Sequence, residues 1–78
     1  MRTYYAVCTV NFTDNSGGTP WRAYETYSFI IHANNKKEAK AWVKQLAEEE
    51  LERDLGKMDE LLIVIDTLYQ TSENARVA

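Results

Sequence analysis

Cys8 and His32 are the only cysteine and the only histidine of this 78-residue chain. A thiol beside an imidazole can become a nucleophilic thiolate. In residues 3–12 the side chains alternate, and Cys8 belongs to the more apolar set, which we assign to the core. His32 belongs to the opposite face of residues 21–33. The pattern therefore places the two groups on different sides of a sheet and predicts no catalytic residues.

Metal and cofactor sites are not indicated either. Residues 14–17 resemble the start of a calcium loop, but its twelfth position would be Glu25, which lies in a predicted strand beyond Pro20. Gly17 and Gly18 are not followed by the Lys-Ser/Thr pair and the helix of a phosphate-binding loop. We expect a protein without a metal site or a cofactor, and not an enzyme.

Charged side chains are distributed unevenly along residues 36–55. Four lysines and one glutamate give the first half a charge of +3, and five acids and one arginine give the second half −4. The helix macrodipole favours the reverse order. Pairs such as Lys44–Glu48 would offset part of the loss. The acidic half is either a solvated face or a surface that docks on a basic partner, with Glu48, Glu49, Glu52 and Asp54 as the candidate residues.

Three strands and one helix must position these groups. Alternating apolar residues predict strands at 3–12, 21–33 and 60–69, and residues 13–20 form a loop of turn formers. Apolar residues at three- and four-residue spacing predict a helix over 36–55. We expect Asn34 or Asn35 at its N-cap and Gly56 just after its end.

The order β-β-α-β predicts one α+β domain over residues 1–69, followed by a frayed polar tail at 70–78. We favour a three-stranded antiparallel sheet of order 2-1-3 with one helix packed on one face. The alternative, with the third strand beside the second, remains open.

A single helix can cover only one face of such a sheet. The other face would carry Tyr5, Val7, Thr9, Tyr24, Thr26, Ile30, His32 and half of residues 61–68. Because the third strand has no polar side, this face is either an interface or is covered by the tail or the hairpin loop. Tyr5, Trp21 and Tyr24 are the candidate aromatic anchors.

Two further functions use the same surface. One is a homodimeric structural or interaction domain that pairs through this face or through a strand edge. The other is a single-stranded nucleic-acid-binding module in which Tyr5, Tyr24 and His32 stack on bases. Arg22 is the only cation among them and the net charge is −3, which argues against nucleic acid.

The expected compartment is the cytoplasm. A single cysteine allows no internal disulfide, which fits a reducing environment. The first residues lack the apolar segment of a secretion signal. The longest apolar run, residues 61–65, is far too short to span a membrane.

Residues 30–42 (IIHANNKKEAKAW) carry one resemblance. A strand that ends in Ala, a polar capping pair and a Lys-Glu-Ala helix start resemble the strand-to-helix junction of small accessory proteins from phages and mobile elements. The β-β-α-β layout is similar to some anti-CRISPR proteins and, more loosely, to HicB-type antitoxins, whose further strand and DNA-binding tail this chain lacks. No residue role transfers. The resemblance implies a non-catalytic inhibitor that binds a host protein or complex that handles nucleic acid.

Overall fold

A computed structural model describes residues 1–14, 17–58 and 60–71. Strand β1 spans Arg2–Asp14 and strand β2 spans Trp21–Ala33. Helix α1 spans Lys36–Leu55, and strand β3 spans Leu61–Thr71. The predicted α+β class and the order β-β-α-β are therefore confirmed.

The sheet has the order β2-β1-β3, and both neighbours pair with β1 in the antiparallel sense. The predicted 2-1-3 order is thus confirmed, and the alternative with β3 beside β2 is excluded. β1 takes the central position because one of its faces is almost wholly apolar. That face consists of Tyr4, Ala6, Cys8, Val10 and Phe12, which are all buried.

The β1–β3 ladder contains a β-bulge. Val7 pairs with Thr67 and Cys8 pairs with Ile65, so Asp66 is an extra residue on β3. A bulge re-aims the side chains around it. Asp66 thereby lies on the sheet face opposite α1, where its Oδ2 accepts a hydrogen bond of 2.7 Å from the Thr9 hydroxyl.

Helix α1 begins and ends at the predicted residues. Asn35 is the N-cap, and its side-chain oxygen accepts a 2.8 Å hydrogen bond from the Glu38 backbone N–H. Gly56 ends the helix with a φ of 83°, a left-handed conformation that glycine adopts without strain. Its N–H donates to the Glu52 carbonyl at 2.9 Å.

The core lies between α1 and one face of the sheet. From the helix it takes Ala39, Val43, Ala47 and Leu51, which recur every four residues. From the sheet it takes the apolar face of β1 together with Ile31 and Ala33 of β2. The small alanines let the helix approach β1 closely, so a single helix suffices to close this core.

Strand boundaries differ slightly from prediction. β1 extends to Asp14 because its end pairs with the start of β2, and β3 begins at Leu61 and continues to Thr71 because it pairs with β1 over that whole range. Gln70 and Thr71 were assigned to the tail and belong to β3 instead. The rest of the predicted frayed tail lies outside the described residues.

Candidate protein-binding surfaces

The sheet face opposite α1, named here the open face, is not covered by any part of the chain that the structure describes. α1 packs on the other face, against all three strands. Five large side chains of the open face are between 43% and 69% exposed: Tyr24, Ile30, Leu62, Val64 and Tyr69. Over the described residues this face is uncovered, and residues 72–78 of the tail, one of the two covers that the sequence left open, lie outside them.

Contacts between strands hold several open-face side chains in place. The rings of Tyr5 and Tyr69 lie 5.5 Å apart at an interplanar angle of 50°. Thr3 Oγ1 lies 3.2 Å from His32 Nδ1, within hydrogen-bond distance. Together with the Thr9–Asp66 bond, these contacts fix a mixed apolar and polar surface before any partner arrives, which lowers the entropic cost of binding.

Helix α1 presents four rows of side chains, because residues four apart lie above one another on a helix. The inner row is the buried set that starts at Ala39. The β3-side row is Lys36, Lys40, Lys44, Glu48 and Glu52, which lie beside β3 side chains. In the outer row every residue is exposed: Lys37, Ala41, Gln45, Glu49 and Arg53. The β2-side row is Glu38, Trp42, Leu46, Glu50 and Asp54.

The predicted docking acids do not form one patch. Glu48 and Glu52 lie in the β3-side row and Glu49 in the outer row. Asp54 lies in the β2-side row, where it accepts a long hydrogen bond of 3.4 Å from the Tyr27 hydroxyl. The helical spacing of the sequence predicts which acids share a row. Which strand lies beside each row depends on the tertiary structure.

The predicted aromatic anchors are likewise divided. Tyr24 and Tyr5 lie on the open face, where Tyr24 is highly exposed and Tyr5 is half-buried against Tyr69. Trp21 pairs with Asp14 of β1, and strand alternation puts both on the α1 side of the sheet. Trp21 and the acids of α1 are therefore separated by the sheet from Tyr5 and Tyr24.

Two titratable groups have perturbed pKa values. Burial, followed by the nearby negative charge of Asp54, raises the pKa of Tyr27 to about 12. Burial also raises the pKa of the Cys8 thiol. Cys8 faces α1 while His32 lies on the open face, so the sheet separates the thiol from the imidazole. Among the described residues, no three His, Cys, Asp or Glu side chains are grouped to hold a metal ion.

A groove of about 410 Å³ runs between α1 and the outer edge of the sheet. Its walls are Lys36, Lys40 and Lys44 of the β3-side row, and its floor is Ile63, Ile65 and Leu68 of β3. The floor side chains are only partly buried. Sequence reasoning missed this groove, because helix rows and strand faces were considered separately.

Comparison with known proteins identifies no relative: no family model, curated protein or solved structure matches the chain. The described part of the chain also contains no helix with the length and apolar character that a membrane crossing requires. The geometry of the surfaces is therefore the basis for a functional assignment.

Proposed function

We propose that the protein is a non-catalytic binding domain that inhibits another protein by covering one of its surfaces with the open face. The observation that carries this proposal is the set of five large, exposed side chains on a sheet face that no described element covers. They form two groups, Tyr24 with Leu62 and Val64 near one end of the face and Ile30 with Tyr69 near the other. Exposed apolar patches on a small domain typically mark an interaction site.

The composition of the open face suits a protein partner. Tyr24 and Tyr69 supply two large aromatic side chains, and tyrosine is enriched among the residues that dominate binding energy. Ile30, Leu62 and Val64 add aliphatic surface of the kind found in interface centres. Polar groups such as Thr9 and Asp66 lie between the two groups of apolar side chains and can fix the orientation of the partner.

The acidic half of α1 indicates the class of partner. When the open face is docked, the outer row of α1 points away from the contact and carries the exposed Glu49. Glu48 and Glu52 of the β3-side row lie next to Glu49, so three acids adjoin each other on the second half of α1, although the outer row as a whole also carries Lys37 and Arg53. A domain docked this way would turn these acids outward, on its side away from the partner, where they repel nucleic acid that approaches the covered surface. This supports an inhibitor of a complex that handles nucleic acid, the anti-CRISPR-like function that the resemblance implies.

The test compares capture of a partner from the host lysate by the protein and by an open-face variant. Leu62→Glu with Val64→Glu puts two charges into the exposed apolar surface without touching the core. The matched control, Ala41→Glu with Gln45→Glu, adds the same charges to the outer row of α1. We expect capture to be lost for the first variant and kept for the control.

A third variant separates the two surfaces. Glu48→Lys, Glu49→Lys and Glu52→Lys should leave capture largely intact but should let the captured complex bind nucleic acid again. Equal capture by the protein and by the Leu62/Val64 variant would show that the open face is not the docking surface.

A further inference from the structure

The outer edge of β3 is unpaired within the described sheet, and the β3-side row of α1 runs beside it. Along this row the charges read Lys36, Lys40, Lys44, Glu48, Glu52, three positive followed by two negative. The row is therefore divided into a basic half and an acidic half on one flank of the domain.

Nothing in the described part of the chain neutralises these lysines. The ion pair found there joins Arg53 and Glu50 at 2.7 Å, and the expected Lys44–Glu48 pair does not form. Lys36, in the first turn of α1, also opposes the macrodipole, at a cost of about 0.3–1 kcal/mol. The arrangement does not stabilise the isolated helix.

We propose that this flank binds a second copy of the chain, with the β3 strands of the two copies paired antiparallel about a two-fold axis. The result is one six-stranded sheet in the order β2-β1-β3-β3-β1-β2. Such an isologous contact closes on itself and gives a dimer. Both helices then lie on the same sheet face and run antiparallel, with their β3-side rows facing each other.

The spacing of the helices fits charged side chains. α1 contacts all three strands, and for this estimate we place its axis above the central strand β1. The two β1 strands of the dimer are three strand spacings apart, about 14 Å. Direct helix packing requires about 8–10 Å. The remaining gap is too wide for apolar contact and has room for extended lysine and glutamate side chains.

The charges match across the axis. A two-fold axis level with the middle of α1, between Lys44 and Glu48, passes beside the first half of β3, because Lys44 lies near Ile63 and Glu48 near Leu61. The two β3 strands would then pair through that half. The axis places Lys44 opposite Glu48 of the partner subunit and Lys40 opposite Glu52 of the partner subunit. Symmetry repeats both pairs, which gives four ion pairs. The lysine stems would cover the partly buried floor formed by Ile63, Ile65 and Leu68.

The other sheet edge lacks this complementarity. The β2-side row of α1 contains Glu38, Glu50 and Asp54 and no lysine. Two copies joined through β2 would bring acids together without a basic partner. The competing explanation of the β3 flank is that lysines over an edge strand prevent edge-to-edge pairing.

Sedimentation equilibrium over a range of concentrations at low salt tests the proposal. We expect the protein to dimerise. Lys40→Glu with Lys44→Glu makes the facing rows wholly acidic, and Glu48→Lys with Glu52→Lys makes them wholly basic. Each variant alone should dimerise at least about tenfold more weakly, because four attractive contacts become repulsive. Lys37→Glu and Glu49→Lys, both in the outer row, are the matched controls and should dimerise normally.

Mixing the two reversed variants gives the decisive result. An acidic row attracts a basic row. Native mass spectrometry of the mixture should therefore show a heterodimer of the two variants, whereas each variant alone should form little homodimer. A monomer at all concentrations would overturn the proposal and favour edge protection. A dimer unaffected by the reversals would also overturn it.

The open face is not part of this contact, so the dimer proposal and the partner-binding proposal can each be refuted without affecting the other. The Leu62→Glu with Val64→Glu variant should still dimerise while it loses partner capture. Amide hydrogen exchange adds an independent readout, because the edge amides of β3 should exchange more slowly as the dimer forms. Unchanged exchange of the edge amides of β3 in the dimer would contradict edge pairing.

Discussion

Ile30 and Ile31 are adjacent isoleucines on opposite faces of β2. Replacing each by alanine and comparing the losses in stability tests whether the open face is solvent-exposed in the free protein. Ile31 is 4% exposed beneath α1, whereas Ile30 is 50% exposed. Because the residue type, the substitution and the strand are the same, only the environment of each sheet face differs between the two variants. The difference between their effects therefore reports burial.

The expected losses in stability follow from how many buried carbon atoms each substitution removes. Isoleucine to alanine removes three carbons, worth about 0.8 kcal/mol each when fully buried. For half-exposed Ile30 this gives a loss of about 1 kcal/mol, with no cavity because solvent fills the space. For Ile31 the cavity term adds to the transfer term, and the loss should be about 2–5 kcal/mol.

Urea unfolding of the two variants gives their free energies of unfolding. If the m-values are equal, the difference between the unfolding midpoints reports the difference in stability. We expect Ile31→Ala to be clearly the less stable, and Ile30→Ala to bind its partner more weakly while remaining folded. A loss for Ile30→Ala as large as that for Ile31→Ala would show that the open face is already covered in the free protein, and would refute the reasoning.

Three further predictions test the local structure. Asn35→Ala should lower the free energy of unfolding by about 1 kcal/mol in urea titrations, because the first turn of α1 loses its cap. Since the folded-state pKa of Tyr27 is raised to about 12 from 10.0, the stability linked to its proton should be complete below pH 10 and be lost as the pH rises towards 12. An ultraviolet titration of Asp54→Asn should show a lower pKa for Tyr27. The buried Cys8 thiol should react with a disulfide reagent only when the protein unfolds, as absorbance would show; fast reaction of the native protein would contradict its burial.

Much of the fold follows from local sequence signals. The alternation in β1 and β2 predicts which face is buried, and the spacing of Ala39, Val43, Ala47 and Leu51 predicts the inner row of α1. Asn35 and Gly56 mark the helix ends through cap chemistry that depends on a few adjacent residues. These signals are short-range, so they can be predicted without knowing the tertiary structure.

The bulge at Asp66 could not be predicted, because it arises from the pairing of two strands that lie far apart in the sequence. It also explains the mixed pattern of β3. On the N-terminal side of Asp66 the even residues Leu62 and Val64 face outward, and on its C-terminal side the odd residues Thr67 and Tyr69 do. A strict two-residue alternation over residues 61–69 therefore fails, and Tyr69 was missed as a surface aromatic.

The candidate site was predicted less well than the fold. Sequence reasoning grouped Glu48, Glu49, Glu52 and Asp54 by their proximity along the chain, whereas a helix distributes consecutive residues around its axis. It also grouped Trp21 with Tyr24, although alternation along β2 separates them. Surface sites depend on which side of each element faces a neighbour, and that requires the tertiary arrangement.

Nitration of tyrosines in the full chain, mapped by mass spectrometry, tests the open face most directly. Tyr24 is 69% exposed and Tyr69 is 52% exposed, whereas Tyr4 is 3% exposed in the core. In the free protein, Tyr24 and Tyr69 should react readily and Tyr4 should not, and a bound partner should protect the first two. Slow nitration of Tyr24 and Tyr69 in the free protein, or unchanged nitration in the complex, would contradict a binding function for the open face.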